Sequence, residues 1–443
     1  MNSFFPLATR LLIIFLLVFA PLTAVAAVEE FRLDNGLRIL FIEDHRIPIA
    51  NFQIWYRVGS IDEPSGKSGI SHFLEHMMFR GTPKFGSNLF SLLIQKKGGV
   101  VNAFTTRNYT MYYEKVPADT IHLSIILEAD RMKNLLLKPA DVDAERGVIM
   151  EERRMRYEDD PQRLLYEKVI SAAMHPHSYH RPVIGWMNEI ASISRDDLAG
   201  YYGAFYSPDN AFIIISGDVK PAELMPLIRK EFGPIPAAGS RLKRPEAIAP
   251  RREGSGIVRF ESEAAKLPSV VMAFNAPSFP DRDYFALDIL SSILSGGKST
   301  RLYRSLVYEK RIAINASAYY EGLNRAPYLF VVSATVAPGK DIGEVEKALT
   351  DEIRLIASSP PSAEELQKAI NQAEAGFIFA RDSSYSEALY TGMFEMAGGW
   401  RLKDKYLEGI RKVTAEEVSA AARRYLTKEN RTIGYLIPKK TEK

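Results

Sequence analysis

Short apolar runs, separated by clusters of Gly, Pro, Asn and Asp, recur along the chain. Those at 37–42, 49–58, 100–106, 110–115, 257–260, 270–275 and 328–336 read as strands. Two segments share a longer pattern. Ile193-Ser194-Arg195-Asp196-Asp197-Leu198 and Val413-Thr414-Ala415-Glu416-Glu417-Val418 stand 220 residues apart, and the same offset carries Phe205 onto Tyr425 and Asn210 onto Asn430. Each reads as a capping-box helix, a turn and an apolar strand (211–216 and 432–437). A repeat of this length predicts two copies of one α+β domain, each a mainly antiparallel sheet with helices on one side. Pro234, Pro236, Gly239, Pro245, Pro250 and Gly254, with a basic cluster among them, mark a linker. The expected organisation is a first domain at 27–235, a linker at 236–256 and a second domain at 257–443.

Composition sharpens this picture. The 443 residues suffice for two or three domains of about 150 residues each. A hydrophobic content of 46% supports a sizeable core. A net charge of +3 gives no sign of nucleic-acid binding. The absence of cysteine excludes a disulfide, a thiol nucleophile and a Cys-ligated zinc. At the N-terminus, Arg10 precedes an apolar run at 11–20 and the small-residue pattern Ala24-Val25-Ala26. This reads as a signal peptide over 1–26, cleaved after Ala26 or Ala27, and implies a periplasmic or otherwise secreted protein. No other stretch is long and apolar enough to predict a membrane span, so none is expected after cleavage.

Candidate chemistry centres on His72-Phe73-Leu74-Glu75-His76. Residues four apart lie one above the other on a helix, so His72 and His76 can direct two imidazoles at one metal ion. Glu75, beside His76, stands where a general base takes a proton from an attacking water. Gly66 and Gly69 before the motif, and Gly81-Thr82-Pro83 after it, bound a helix whose other positions are apolar. Only 7 histidines occur in the chain, which makes an accidental pair around a glutamate improbable.

Two histidines leave catalytic zinc one protein ligand short. The acidic segment Glu145-Arg146-Gly147-Val148-Ile149-Met150-Glu151-Glu152 can supply it. It reads as a helix with Asp141 or Asp143 at its N-cap. Glu145 and Glu152, seven apart, share a face, so one can ligate while the other orients a ligand. Residue physics alone leaves Glu145, Glu151 and Glu152 all open as the third ligand.

The chain resembles the pitrilysin, insulysin and mitochondrial-processing-peptidase family of inverted-motif zinc peptidases, in its short bacterial-type subfamily. The resemblance rests on the stretch from Gly69 to Thr82 around the motif, on Gly98-Gly99-Val100-Val101-Asn102-Ala103-Phe104-Thr105, and on Glu145 to Glu152. It implies His72, His76 and Glu152 as ligands of one Zn2+, Glu75 as base and Glu145 as supporting carboxylate. It also implies two similar domains facing each other around a cavity, and a zinc endopeptidase acting on short or unfolded peptides. The strand after Gly98-Gly99 reads as a sheet edge to which a peptide can add, with Asn102 and Ala103 contacting substrate.

The second copy departs from the first. Phe285 to Ser292 stands where the metal helix would be and carries no ligands. Active members of the family hold an arginine and, seven residues on, a tyrosine in the second domain, which clamp substrate near the zinc. Here those positions are Val307 and Ile314; Arg301 and Tyr308 have the spacing six residues too early. The expectation is therefore the zinc-bearing subunit of a heterodimer whose homologous partner carries the clamp, with a homodimer or a non-catalytic peptide-binding subunit as alternatives. Two other features carry little weight. His175, His177 and His180 lie around Pro176 without an adjacent acid, and Gly296-Gly297-Lys298-Ser299 lacks phosphate-loop spacing.

Overall fold

The computed structural model describes residues 28–239, 244 and 256–439. The expected signal peptide and most of the expected linker lie outside the described residues. The first sheet comprises β1 (Val28–Arg32), β2 (Arg38–Glu43), β3 (Ile49–Tyr56), β4 (Val100–Thr105), β5 (Thr110–Pro117) and β6 (Ala211–Gly217), in the order β1-β2-β6-β3-β5-β4. The second comprises β7 (Gly256–Ser262), β8 (Ser269–Ala276), β9 (Ala313–Tyr320), β10 (Tyr328–Val336) and β11 (Arg431–Pro438), in the order β7-β11-β8-β10-β9. Pairing is antiparallel except between β2 and β6 and between β7 and β11. Without β1, the two sheets have one strand order and one parallel pair at the same place. The repeat reaches single hydrogen bonds. Ser194 and Thr414 each close a capping box, with Asp197 and Glu417. Asn210 and Asn430 each donate from Nδ2 to a carbonyl five residues back, at 2.8 and 2.7 Å.

Helices cover one face of each sheet. Phe52 and Ile54 of β3 pack into one core with Phe73, Leu74 and Met77 of the motif helix, Ile70–Met77. The opposite faces are covered by exchange. Ala388 and Met396 of the helix Ser384–Ala397 lie over Trp55, Phe212 and Ile214 of the first sheet. Leu165 and Val169 of the helix Pro161–Met174 lie over Val271, Ala273 and Leu436 of the second. Gly392 sits where the first crossing is closest, and a Cβ there would lie 2.2 Å from the Trp55 ring. Helices on one side only was the sequence expectation; the covering helix belongs to the other half of the chain, which local pattern cannot show. Double coverage also explains why β6 and β8 are buried at every position rather than alternately.

Two strands escaped the sequence reading. β1 is short and acidic, and β9 mixes Ala, Asn and Ser with Ile314, Tyr319 and Tyr320 without a continuous apolar run. The acidic helix spans Pro139–Arg153, with Lys138 at the N-cap and no side-chain cap. This corrects the expected cap at Asp141 or Asp143: with proline at the first position, the cap falls at Lys138, three residues before Asp141. Asp143 instead pairs with Arg146 at 2.6 Å.

Candidate metal centre

Gly69 enters the motif helix with φ of 88°, and a Cβ there would lie 2.4 Å from the carbonyl oxygen of Ile184. The close approach fixes where the helix begins. Glu63, fully buried, accepts from the backbone N–H groups of Gly69 and Ser71, both at 3.0 Å, and so satisfies free donors of the first turn. Burial pushes its carboxyl up to about 8. From this start, His72 and His76 project one turn apart, with ring centroids 4.7 Å apart.

Of the three carboxylates left open by the sequence, Glu152 alone meets both imidazoles. Its Oε2 lies 3.8 Å from His72 Nε2 and 3.4 Å from His76 Nε2. One potential ligand atom from each of the three residues lies within 4.8 Å of the others. Ligands about 2.0–2.1 Å from a tetrahedral zinc ion sit about 3.4 Å apart, so this donor set fits the metal. Glu151 is exposed and paired with Arg154. Glu145 faces the other side of His76, which donates from Nδ1 to its Oε2 at 3.2 Å when that nitrogen carries the proton. That tautomer leaves the Nε2 lone pair free for a metal. Arg80 holds the other Glu145 oxygen. Arg156 bonds the second oxygen of Glu152 at 2.8 Å.

Protonation states suit ligation. Burial, with the neighbouring His76, lowers His72 to about 4, so its imidazole is neutral at pH 7. His72 Nδ1 is buried with no hydrogen-bond partner among the described residues. Burial raises Glu75, against the opposing bond from Thr105, whose Oγ1 donates to Glu75 Oε2 at 2.5 Å. Glu75 thus stands beside the ligand cluster without belonging to it.

Thr105 ends β4, the free edge of the first sheet among the described residues. Alternation puts Val101, Ala103 and Thr105 on the side of the motif helix, and Asn102 with Phe104 on the side of the exchanged helix Ser384–Ala397. Asn102 therefore lies on the edge strand with its side chain directed away from the face that carries Glu75. Its Oδ1 accepts from the Ala103 N–H at 2.8 Å. A cavity of 510 Å³ opens between the two halves, lined by Tyr157, Arg163 and Tyr166 from one side and Asn315, Ser333 and Thr335 from the other.

The remaining candidates lie apart from the metal cluster. Val307 packs against the second core, and Ile314 is exposed on β9. Arg301 is engaged by Glu365 through two bonds of 2.7 Å, while Tyr308 is 70% exposed. His177 accepts from the Tyr179 N–H and His180 bonds the His177 carbonyl, so the histidine cluster serves its own loop. Sequence reasoning missed Glu63, Arg80 and Thr105, which folding brings to the site, and Arg156, which pairs with Glu152 from four residues along the same helical stretch. Thr105 lay within the quoted strand motif, so its identity was visible and its role was not.

A model described as insulinase, peptidase family M16, matches residues 38–185 and so contains all of these groups. A second, described as the peptidase M16 inactive domain, matches 192–373. The chain belongs to the M16 family of peptidases, the pitrilysin and insulysin group. Among M16 relatives, a zinc protease of Helicobacter pylori named PqqE is 29% identical over 80% of each chain. An uncharacterized zinc protease of Streptomyces coelicolor is 28% identical over 90% of this chain and 87% of its own. A crystal structure of a protease from Helicobacter pylori superposes with a TM-score of 0.89 at 27% identity, over 94% of this chain and all of that one. That likeness spans both sheets described above.

Proposed function

We propose that the chain is an exported zinc endopeptidase that hydrolyses short or unfolded peptides. The observation that carries this reading is the convergence of His72, His76 and Glu152 within 4.8 Å beside Glu75. His72, His76 and Glu152 hold the zinc, and Glu145 orients His76. Zinc in such a site polarises a carbonyl and brings the pKa of water toward about 7. Glu75, raised by its burial, takes a proton from the attacking water and delivers it to the leaving amine. The free edge of β4 receives substrate as an added strand, which demands an extended segment and excludes folded protein. Ala103 would supply its N–H, and Asn102, which now caps that N–H, would release it on binding.

Val307 and Ile314 offer no hydrogen-bond donor at the clamp positions, which favours a heterodimer with a clamp-bearing homologue. The same observation supports the alternative of a peptide-binding subunit that retains metal. Export rests on the N-terminal sequence, and no helix of the described residues is long and apolar enough to cross a membrane. The test is cleavage of an unstructured quenched fluorescent peptide by the zinc-loaded mature chain, with and without candidate homologous partners and with Glu75→Gln as blank. Cleavage above the blank is expected with the partner. Cleavage by the chain alone at full rate would remove the heterodimer, and none under any condition would favour the peptide-binding subunit.

A further inference from the structure

The hairpin turns that follow the two edge strands meet tip to tip. Arg107 stands three residues before β5, and Arg325 three residues before β10, so the repeat relates them. Each reaches across into the other half. Arg107 Nη1 contacts both carboxylate oxygens of Glu321 at 3.1 Å. Arg325 grips Asp62 through two bonds, at 2.6 and 3.0 Å. Between them Asn108 donates to Asn324 Oδ1 at 2.7 Å. Asp62 has 2% of its side chain exposed and also binds Arg244 at 2.5 Å, so its charge is fully committed to these contacts.

The first-domain ends of these bonds lead to the metal centre. Asp62 is followed by Glu63, whose carboxyl group caps the motif helix at Gly69 and Ser71. Arg107 lies two residues beyond Thr105, whose hydroxyl holds Glu75. The two paths are stitched together where Ser60 and Ile61 donate to the carbonyls of Thr106 and Arg107 at 3.2 and 3.0 Å. The motif helix and its base therefore rest on a frame whose far side belongs to the other domain.

We propose that the β9–β10 turn of the metal-free domain is a positioning element for the active site, with Arg325 acting through Asp62 and Glu63 on the motif helix and Glu321 acting through Arg107 on the strand that holds Glu75. This rests on the peptidase reading for its consequence, and on geometry alone for the positioning. It gives the domain without ligands a part in the chemistry that does not require it to touch substrate. A two-point carboxylate grip is specific to arginine, so lysine retains the charge and loses the geometry.

The test is hydrogen–deuterium exchange on the zinc-loaded full chain, with wild type, Arg325→Ala, Arg325→Lys and Glu321→Gln, and with Arg282→Ala as a surface control. Exchange across 70–77 is expected to rise at least fivefold in Arg325→Ala, less in Arg325→Lys, and not in the control, while β6 stays protected. In whatever assembly cleaves peptide, kcat is expected to fall about tenfold with KM within twofold. Faster exchange confined to 321–328, with 70–77 unchanged, would overturn the proposal even if the protein proves to be no peptidase. Should Arg325→Ala fail to fold, Arg325→Lys decides by the same criterion, and Glu321→Gln decides by exchange across 100–105, where an unchanged rate would overturn the proposal.

Discussion

At the scale of residues, each candidate ligand or base with a visible partner owes its role to the atom facing away from the metal. His76 is tuned by Glu145, Glu152 is held by Arg156, and Glu75 by Thr105. Glu145→Gln keeps the shape of the side chain but loses the charge opposite His76. Zinc affinity, read by competition with a chromophoric chelator, should weaken about 10–100-fold; unchanged affinity would separate Glu145 from the site. Glu75→Gln should retain zinc and lose about 10²–10⁴-fold in turnover, read as peptide cleavage. The spacing of His72, Glu75 and His76 was legible because helical geometry ties their directions to their positions in sequence. The choice among Glu145, Glu151 and Glu152 was not legible from residue physics alone, because all three lie on one short helical stretch and only the packed helix decides which meets both histidines. The resemblance had pointed to Glu152.

At the scale of elements, the motif helix depends on its entry and the second domain's counterpart on its burial. Gly69→Ala forces a side chain into a left-handed conformation and against the Ile184 carbonyl. It should cost at least about 2 kcal/mol in denaturant unfolding; a neutral effect would mean the helix start is free to shift. In the helix Asp283–Leu294, which occupies the place of the metal helix, Asp288 is half-buried and its carboxyl group accepts from the Tyr406 hydroxyl at 2.6 Å. Burial raises its carboxyl above the ordinary 3.8. Between pH 3.8 and that raised value the folded protein keeps a proton that the unfolded chain has released. Its contribution to stability is full below pH 3.8 and is lost as pH rises through the raised folded value. Asp288→Asn removes that loss, so its melting temperature should gain on wild type as pH rises from 4 toward 8. A constant difference across that range would contradict the raised carboxyl. Strands such as β3 and β10 were legible as apolar runs, whereas β9 was not, since its Ile314, Tyr319 and Tyr320 are interspersed with Ala, Asn and Ser in neither a continuous run nor a strict alternation.

At the scale of the whole molecule, the repeat was visible in two capping-box helices 220 residues apart, and it extends to the order of both sheets. What the sequence concealed is the exchange of helices. Pro161–Met174 and Ser384–Ala397 each bury an apolar face on the partner sheet, and nothing local tells such a face from one packed at home. The consequence is mutual dependence. Two separate chains, divided between residues 239 and 256, should each aggregate when expressed alone and co-purify as a 1:1 complex when expressed together. Two stable, independent monomers would contradict the exchange.

The central claim is a single metal centre built by His72, His76 and Glu152. The most direct measurement is zinc content per chain by mass spectrometry of the metal, after dialysis against a weak chelator, for wild type, Glu75→Gln, His76→Ala and Glu152→Gln. One zinc is expected in wild type and in Glu75→Gln, and none in the other two. Full zinc retention in Glu152→Gln, or none in wild type, would contradict it.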